Sequence, residues 1–452
     1  MAFNFVSCDR DQDFLLPPSL REWLPEDHLA WFLVDAVGSL DLSGFCAAYR
    51  EDGWGRAAFD PQMMVALLLY GYAIGERSSR GIERRCREDV AFRVITANRI
   101  PDHATIARFR ARHERALSEL FTGVLALCAE AGLVSVGVIA LDGTKIRANA
   151  AKSANRSYAA ITAEVDRILA EAAAVDAGED ELLGSRRGDE LPDELASRSS
   201  RQARLRAAKH KLDAELAAQQ AEFEKHLAER AHLEAARGRP LRGRKPVPPP
   251  ESVPSAARAN TTDPDSALVR GAAGFVQGYN AQIVATAEQI VIAAELSTDS
   301  PDARLLEPMA QAATRELAVV GVRELPAALL ADAGYWNVPQ IEQVAKSGIE
   351  VIVAPDGSTR RQQDQIGTPR KLRDKRRQGR YLAMQRLLES PRGRDLYRRR
   401  QQIAEPIFAH TKVGRRADRF HRRGLTACRC EWRLTMATHN LLKLWRHTNR
   451  PG

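Results

Sequence analysis

Residues 397–412 read Y-R-R-R-Q-Q-I-A-E-P-I-F-A-H-T-K and set a single carboxylate, Glu405, inside a strongly basic run. Tyr397, Arg398 and Arg400 precede it, and Lys412, Arg415 and Arg416 follow. A carboxylate among cations is commonly a salt-bridge partner. It gains a second meaning if other acids meet it across the fold, because Mg²⁺ takes oxygen ligands and a phosphate backbone takes surrounding positive charge. Two such acids stand upstream, Asp142 in V-I-A-L-D-G-T and Asp332 in A-L-L-A-D-A-G-Y-W. Asp142 and Asp332 are 190 residues apart and Glu405 lies a further 73 on, so only the fold can bring them together.

The charge around this stretch is unevenly distributed. Residues 360–423 hold 21 Lys and Arg against 6 Asp and Glu, a local +15, so the rest of a chain of net charge +9 carries −6. Excess positive charge confined to one region is the electrostatic footprint of a nucleic-acid binder. A disordered basic tail would carry the same charge, but residues 382–388 and 403–408 place apolar side chains at helical spacing within it, as a folded segment does.

With 452 residues, 44% of them apolar, the chain can form two or three domains with real cores. No apolar run approaches the roughly 20 residues of a membrane span. The start, M-A-F-N-F, lacks the basic flank and apolar core of a signal peptide, so a cytoplasmic protein is expected. The six cysteines are scattered, and C-R-C at 428–430 lacks the spacing of a zinc knuckle, so reduced and mostly buried thiols are expected.

Residues 1–133 read as helical. A helix is expected to begin near Pro25, and another at Pro61, where the run M-M-V-A-L-L-L-Y-G-Y-A-I is apolar nearly all round. The break at Ile100-Pro101 is followed by a helix carrying Arg108, Arg110 and Arg112, in the manner of a helix-turn-helix that reads DNA, although arginines on a solvated face look the same. Residues 134–147 read as a buried strand with Asp142 at its end, and Asp-Gly as a turn is the plainer alternative. Between 156 and 236 the composition shifts to Ala, Glu, Arg, Lys and Gln. Leu205, Leu216 and Leu227 recur every 11 residues there, the period of a long, nearly straight helix, which is expected to pair with a shorter one near 157–175. The basic, proline-rich segment 238–250 reads as a linker. Within it G-R-P-L-R-G-R-K misses the phosphate-loop pattern, with Arg244 where Lys should stand and no strand before it.

Beyond 263 the pattern gives a strand hairpin over F-V-Q-G-Y-N-A-Q-I-V-A-T and Q-I-V-I-A-A-E-L-S-T, then a helix, a strand ending at Asp332, a helix, the strand I-E-V-I-V-A-P, and the basic segment with Glu405. A mixed α/β sheet interrupted after its first strand is the expected fold. If the three acids converge, they suit two-metal phosphoryl transfer. G-x-S-x-G, H-E-x-x-H and a dinucleotide loop after a strand are all absent from the sequence.

The segments D-R-D-Q-D-F-L-L-P-P-S-L-R-E-W-L-P-E-D-H-L, R-S-S-R-G-I-E-R-R-C, P-D-H-A-T-I-A-R-F-R, A-L-D-G-T-K-I, T-D-P-D-S-A-L-V, G-Y-N-A-Q, A-D-A-G-Y and E-P-I-F-A-H-T-K, in this order, resemble a DDE transposase of a bacterial insertion sequence. The resemblance covers nearly the whole chain. It implies an RNase H-like α/β core, with Asp142, Asp332 and Glu405 as catalytic residues and ligands of two Mg²⁺ or Mn²⁺ ions. It further implies cleavage and strand transfer of double-stranded DNA, at terminal inverted repeats and at a target. Its division would be a helical DNA-end-binding region (1–133), the first part of the core (134–150), an inserted helical hairpin and linker (151–260), the remainder of the core with the basic segment (261–425) and a C-terminal helix and tail (426–452). The insertion is expected to serve dimerisation, giving a homodimer, or DNA contact. No membrane partner is expected. A degenerate, non-catalytic DNA-binding protein acting as a repressor is the alternative, and a structural coiled coil is weaker because the long helices cover too little of the chain.

A related branch of these enzymes carries a Tyr-Arg-Glu-Lys signature, with Tyr seven and Arg four residues before the Glu and Lys seven after it. Lys412 fits, but Tyr397 and Arg400 each stand one residue early. At about 100° per residue Arg398, Glu405 and Lys412 share a helix face and Arg400 lies well round it. Tyr397 and Arg400 are therefore expected as phosphate contacts if the helix is distorted at 402–406, where Pro406 removes a hydrogen bond. Arg398, Lys412, Arg415, Arg108 and Arg110 are further candidate DNA contacts. Trp336, beside Asp332, is a candidate for base stacking, with core packing as its plain alternative.

Overall fold

Local capping chemistry sets the helices of the N-terminal region in the computed structural model, which describes residues 19–49, 57–168, 170, 201–241, 243, 245–271, 274–299, 301–355 and 375–449. Among the described residues a short 3-10 turn (Leu20–Trp23) is followed by seven α-helices: α1 (Leu29–Gly38), α2 (Ser43–Cys46), α3 (Pro61–Ile74), α4 (Ser79–Glu88), α5 (Val90–Ile95), α6 (His103–Arg112) and α7 (Glu114–Glu130). Asp60 caps α3 through the Gln62 amide with Pro61 in its first turn, and Gly75, at φ 87°, ends it. Helix α1 starts at Leu29 rather than near Pro25. The Pro25 carbonyl instead accepts the His28 amide to close a turn, and the His28 imidazole caps the Ala30 amide.

Next come β1 (Val138–Arg147), β2 (Asn155–Ser157), a helix α8 over 158–168, α9 (Arg201–Arg237), β3 (Arg258–Asn260), β4 (Ala267–Gly271), β5 (Gly274–Thr286) and β6 (Val291–Ser297). They are followed by α10 (Leu306–Val319), β7 (Ala328–Ala331), α11 (Val338–Lys346), β8 (Glu350–Val353), α12 (Lys375–Glu389), α13 (Pro391–Ala409) and α14 (Leu425–Thr448). The main sheet runs β4-β5-β1-β7-β8, and β6 also pairs with β5. Strands β1, β5 and β6 are antiparallel neighbours, and β7 and β8 lie parallel to β1. This mixed sheet with its flanking helices is compatible with an RNase H-like core. Strand β1 continues to Arg147, past Asp142, because β5 pairs with it as far as Arg147 opposite Gly278. Asp142 is therefore inside a strand, and Asp142-Gly143 is not a turn.

One apolar core joins the N-terminal helices to the sheet, running from Ala30 and Leu67 through Leu141 and Ile283 to Trp432 and Leu441. Helix α14 is buried on nearly every side within it. Its buried Asn440 pairs with Val291 as a strand would, accepting the Val291 amide and donating to its carbonyl. The insertion has a separate small core of Ile161, Val165, Leu205, Ala208, Leu212 and Ala259. The 11-residue stripe is buried only where α8 reaches it, and Leu227 is exposed. Beyond that point the proline-rich segment returns along α9, with Arg230 donating to the Leu241 carbonyl and Gln220 to that of Pro250. Part of the expected shorter helix, 169 and 171–175, lies outside the described residues. Of the five described cysteines four are buried and none is in a disulfide. No helix among the described residues is long and apolar enough to cross a membrane.

Candidate active site

The register of two parallel strands places the two aspartates. Val138, Ile139 and Ala140 of β1 stand opposite Ala328, Leu329 and Leu330 of β7, an offset of 190 residues. That offset is also the separation of Asp142 from Asp332. Asp332 follows the last residue of β7 and caps the turn 333–335, so the two carboxylates lie side by side where β7 stops and β1 runs on. Each holds a local amide: Asp142 Oδ1 accepts Gly143 N at 2.8 Å, and Asp332 Oδ1 accepts Gly334 N at 2.9 Å.

Arg400 of α13 supplies the cation at this pair, Nη1 donating to Asp142 Oδ2 at 3.2 Å. Its guanidinium carbon lies 5.7 Å from the centre of the Tyr397 ring. Burial pushes the Asp142 carboxyl up to about 6, against the opposing pull of the Gly143 amide and Arg400, and the charges of Asp332 and Asp302 push the same way. Asp332 is likewise raised by burial. Like charges are thus crowded in a poorly solvated place, which is what a cation site requires.

A third acid belongs to this cluster, and it is Asp302. Its Oδ1 accepts Asn280 Nδ2 at 2.7 Å, Gln282 Nε2 at 3.0 Å and Lys145 Nζ at 3.2 Å. The Tyr335 hydroxyl, buried, donates to Gln282 Oε1. Gly143 makes room for this layer, since a Cβ there would overlap the Gln282 amide and stand 3.0 Å from the Tyr335 oxygen. Sequence reasoning left Asp302, Lys145, Asn280 and Gln282 without a role. The signal available was the alternation of Asn280 and Gln282 in G-Y-N-A-Q, two polar side chains on one face of a buried strand.

Glu405 does not join the pair. Helix α13 stays helical across residues 402–406, and a π-turn falls later, at His410–Gly414. The Gln402 carbonyl, deprived of its partner by Pro406, accepts Gln289 Nε2 instead. The buried face of this helix runs Gly393, Arg400, Ile403, Ala404, Ile407. Glu405 lies about 140° round from Arg400 and is exposed, as is Arg398 on the same side. Among the described residues no three His, Cys, Asp or Glu side chains are grouped to hold a metal ion.

The remaining candidates separate by burial. Arg415 is 2% exposed and donates to the Thr435 carbonyl and the Thr411 hydroxyl, so the expected DNA contact is a core arginine. Arg110, 6% exposed, lies 5.6 Å from the Tyr72 ring centre and is likewise unavailable to DNA, because its side of α6 packs inward. Arg108 is exposed and donates to the Thr105 hydroxyl of its own helix. Lys412 donates to the Lys145 carbonyl at 3.1 Å, and Trp336 packs edge-on against Tyr381 at 5.9 Å.

Two oxygen ligands side by side fit a hard cation. Mg²⁺ is commonly held by one or two carboxylates together with water and substrate phosphate, so a complete protein cage is not needed. Comparison with known families agrees with this chemistry. Residues 18–112 match the Transposase domain (DUF772), and residues 257–441 match the Transposase DDE domain. No curated protein and no solved structure gives a significant match. The second match begins at the C-terminal end of the insertion, and β1 with Asp142 completes its sheet from outside that range. With one transposase domain before the sheet and a DDE domain forming most of it, the chain belongs to the DDE transposases.

Proposed function

We propose that this DNA transposase cuts double-stranded DNA at terminal inverted repeats and joins the ends to a target, with Asp142 and Asp332 holding Mg²⁺ or Mn²⁺ in the two-ion form. The observation that carries the reading is that Asp142 in β1 stands beside Asp332 at the end of the adjacent parallel strand β7, with Arg400 bonded to Asp142. The ions would polarise the scissile phosphate and the attacking water or 3′-hydroxyl. Asp142 and Asp332 orient the ions through carboxylates fixed by the Gly143 and Gly334 amides. Arg400 and Tyr397 stand beside them as phosphate contacts, and the exposed Arg398 and Arg108 face solvent where a duplex can approach. Glu405 enters as third carboxylate on the strength of the sequence pattern alone. A homodimer, with the insertion in dimerisation or DNA contact, belongs to the same proposal.

Purified protein incubated with Mg²⁺ and DNA bearing the element's ends, with the cuts mapped, tests it. Asp142→Ala and Asp332→Ala should abolish cleavage and leave DNA binding largely intact; cleavage at the wild-type rate by either variant refutes the assignment. Comparison of Glu405→Gln with Asp302→Asn identifies the third acid. The exposure of Glu405 is the observation favouring a second reading, a DNA-binding repressor without catalysis. Specific end binding with no cut in either Mg²⁺ or Mn²⁺ would establish that reading.

A further inference from the structure

We infer that Arg400 is a counter-ion latch: it occupies the cation position at Asp142 until DNA draws it away, so that DNA engagement and metal loading favour each other. The inference rests on the proposed metal site. Arg400 is the cation in direct contact with Asp142, and both side chains are largely shielded, 12% and 15% exposed. A guanidinium bonded to Asp142 Oδ2 repels a divalent ion at the same carboxylate, so ion binding without DNA works against Arg400.

The latch is also incompletely held. Arg400 Nε is buried without a hydrogen-bond partner among the described residues, and an arginine presents five donors in a planar fork that matches phosphate oxygens. One guanidinium is thereby shared between two anions, the carboxylate of its own chain and the phosphate of the substrate. When phosphate takes it, Asp142 is released to the ion. Linkage makes the effect mutual: the factor by which DNA tightens the ion is the factor by which the ion tightens DNA. A transposase built this way stays poorly loaded with metal away from DNA.

The test uses the full chain and Mn²⁺ alone, its free concentration followed by electron paramagnetic resonance, with and without a short duplex. Arg400→Gln should bind Mn²⁺ at least tenfold tighter than wild type in the absence of DNA. Arg400→Lys keeps the charge and should stay within a few-fold of wild type. Duplex should tighten Mn²⁺ binding to wild type and have little effect on Arg400→Gln. Asp142→Asn should weaken Mn²⁺ binding in every background. If it does, and Arg400→Gln is no tighter than wild type while its circular dichroism is unchanged, the latch is overturned and the metal site stands. If Asp142→Asn leaves Mn²⁺ binding unchanged, both fall.

Discussion

Asp142→Asn should stabilise the metal-free protein at neutral pH. Burial and its acidic neighbours raise the Asp142 carboxyl from 3.8 to about 6. A raised carboxyl contributes stability that is fully present below the unfolded value and is lost as pH rises through the folded one. Above about pH 7 the folded state therefore carries an unfavourable charge worth roughly 3 kcal/mol, about two pH units at 1.36 kcal/mol each. The side chain is 15% exposed, so solvent screening removes little of this. Asparagine has no charge to ionise and keeps the shape. Urea unfolding in EDTA at pH 7.5 should show the variant more stable by about 2–3 kcal/mol, and at pH 4 most of that gap should close. Saturating Mg²⁺ should then stabilise wild type and leave the variant unmoved. A variant as stable as wild type, or less so, at pH 7.5 in EDTA refutes the account of the site as a strained pair awaiting a cation.

Glu431 and Arg77, 0% and 4% exposed, form an ion pair at 2.6 Å that ties the N-terminal helices to α14, and Arg77 also donates to the Arg416 and Arg419 carbonyls of the segment before it. Glu431→Gln should cost about 3–5 kcal/mol by urea unfolding, and replacing both partners by apolar residues of similar volume should recover much of it. Gly143→Ala forces a methyl into the Gln282 amide, so a loss of about 1–3 kcal/mol with weakened Mn²⁺ binding is expected in the same assays. His439 is buried, and burial lowers its imidazole to about 3. Its contribution is complete above the unfolded value near 6.5 and is lost as pH falls, about 2 kcal/mol by pH 5. His439→Gln should flatten that acid limb relative to wild type.

Local sequence pattern determined β1, the β5–β6 hairpin, β7, β8 and the main helices in their order, but did not mark the short strands β2, β3 and β4. Apolar runs bounded by Gly and Pro give β5, β6, β7 and β8, and the proline-led starts give α3 and α11, because period, caps and breakers are local properties that a short window contains. It also singled out Asp142 and Asp332, and the equality of their spacing with the β1/β7 offset is a fact that only the paired strands disclose. Tertiary structure decided which side chains meet. The sequence pattern selected the face of α13 bearing Glu405, but the sheet buries the face bearing Arg400, Ala404 and Ile407, since apolar residues on that side must leave water and the helix can present one face only. Arg110 and Arg415 read as surface cations for the same reason: an arginine's type says nothing about whether its helix turns it toward Tyr72 or Thr435. Asp302 reached the site from 160 residues beyond Asp142 through Lys145, Asn280 and Gln282 on two neighbouring strands, and that approach is set by strand pairing, which a linear sequence does not carry.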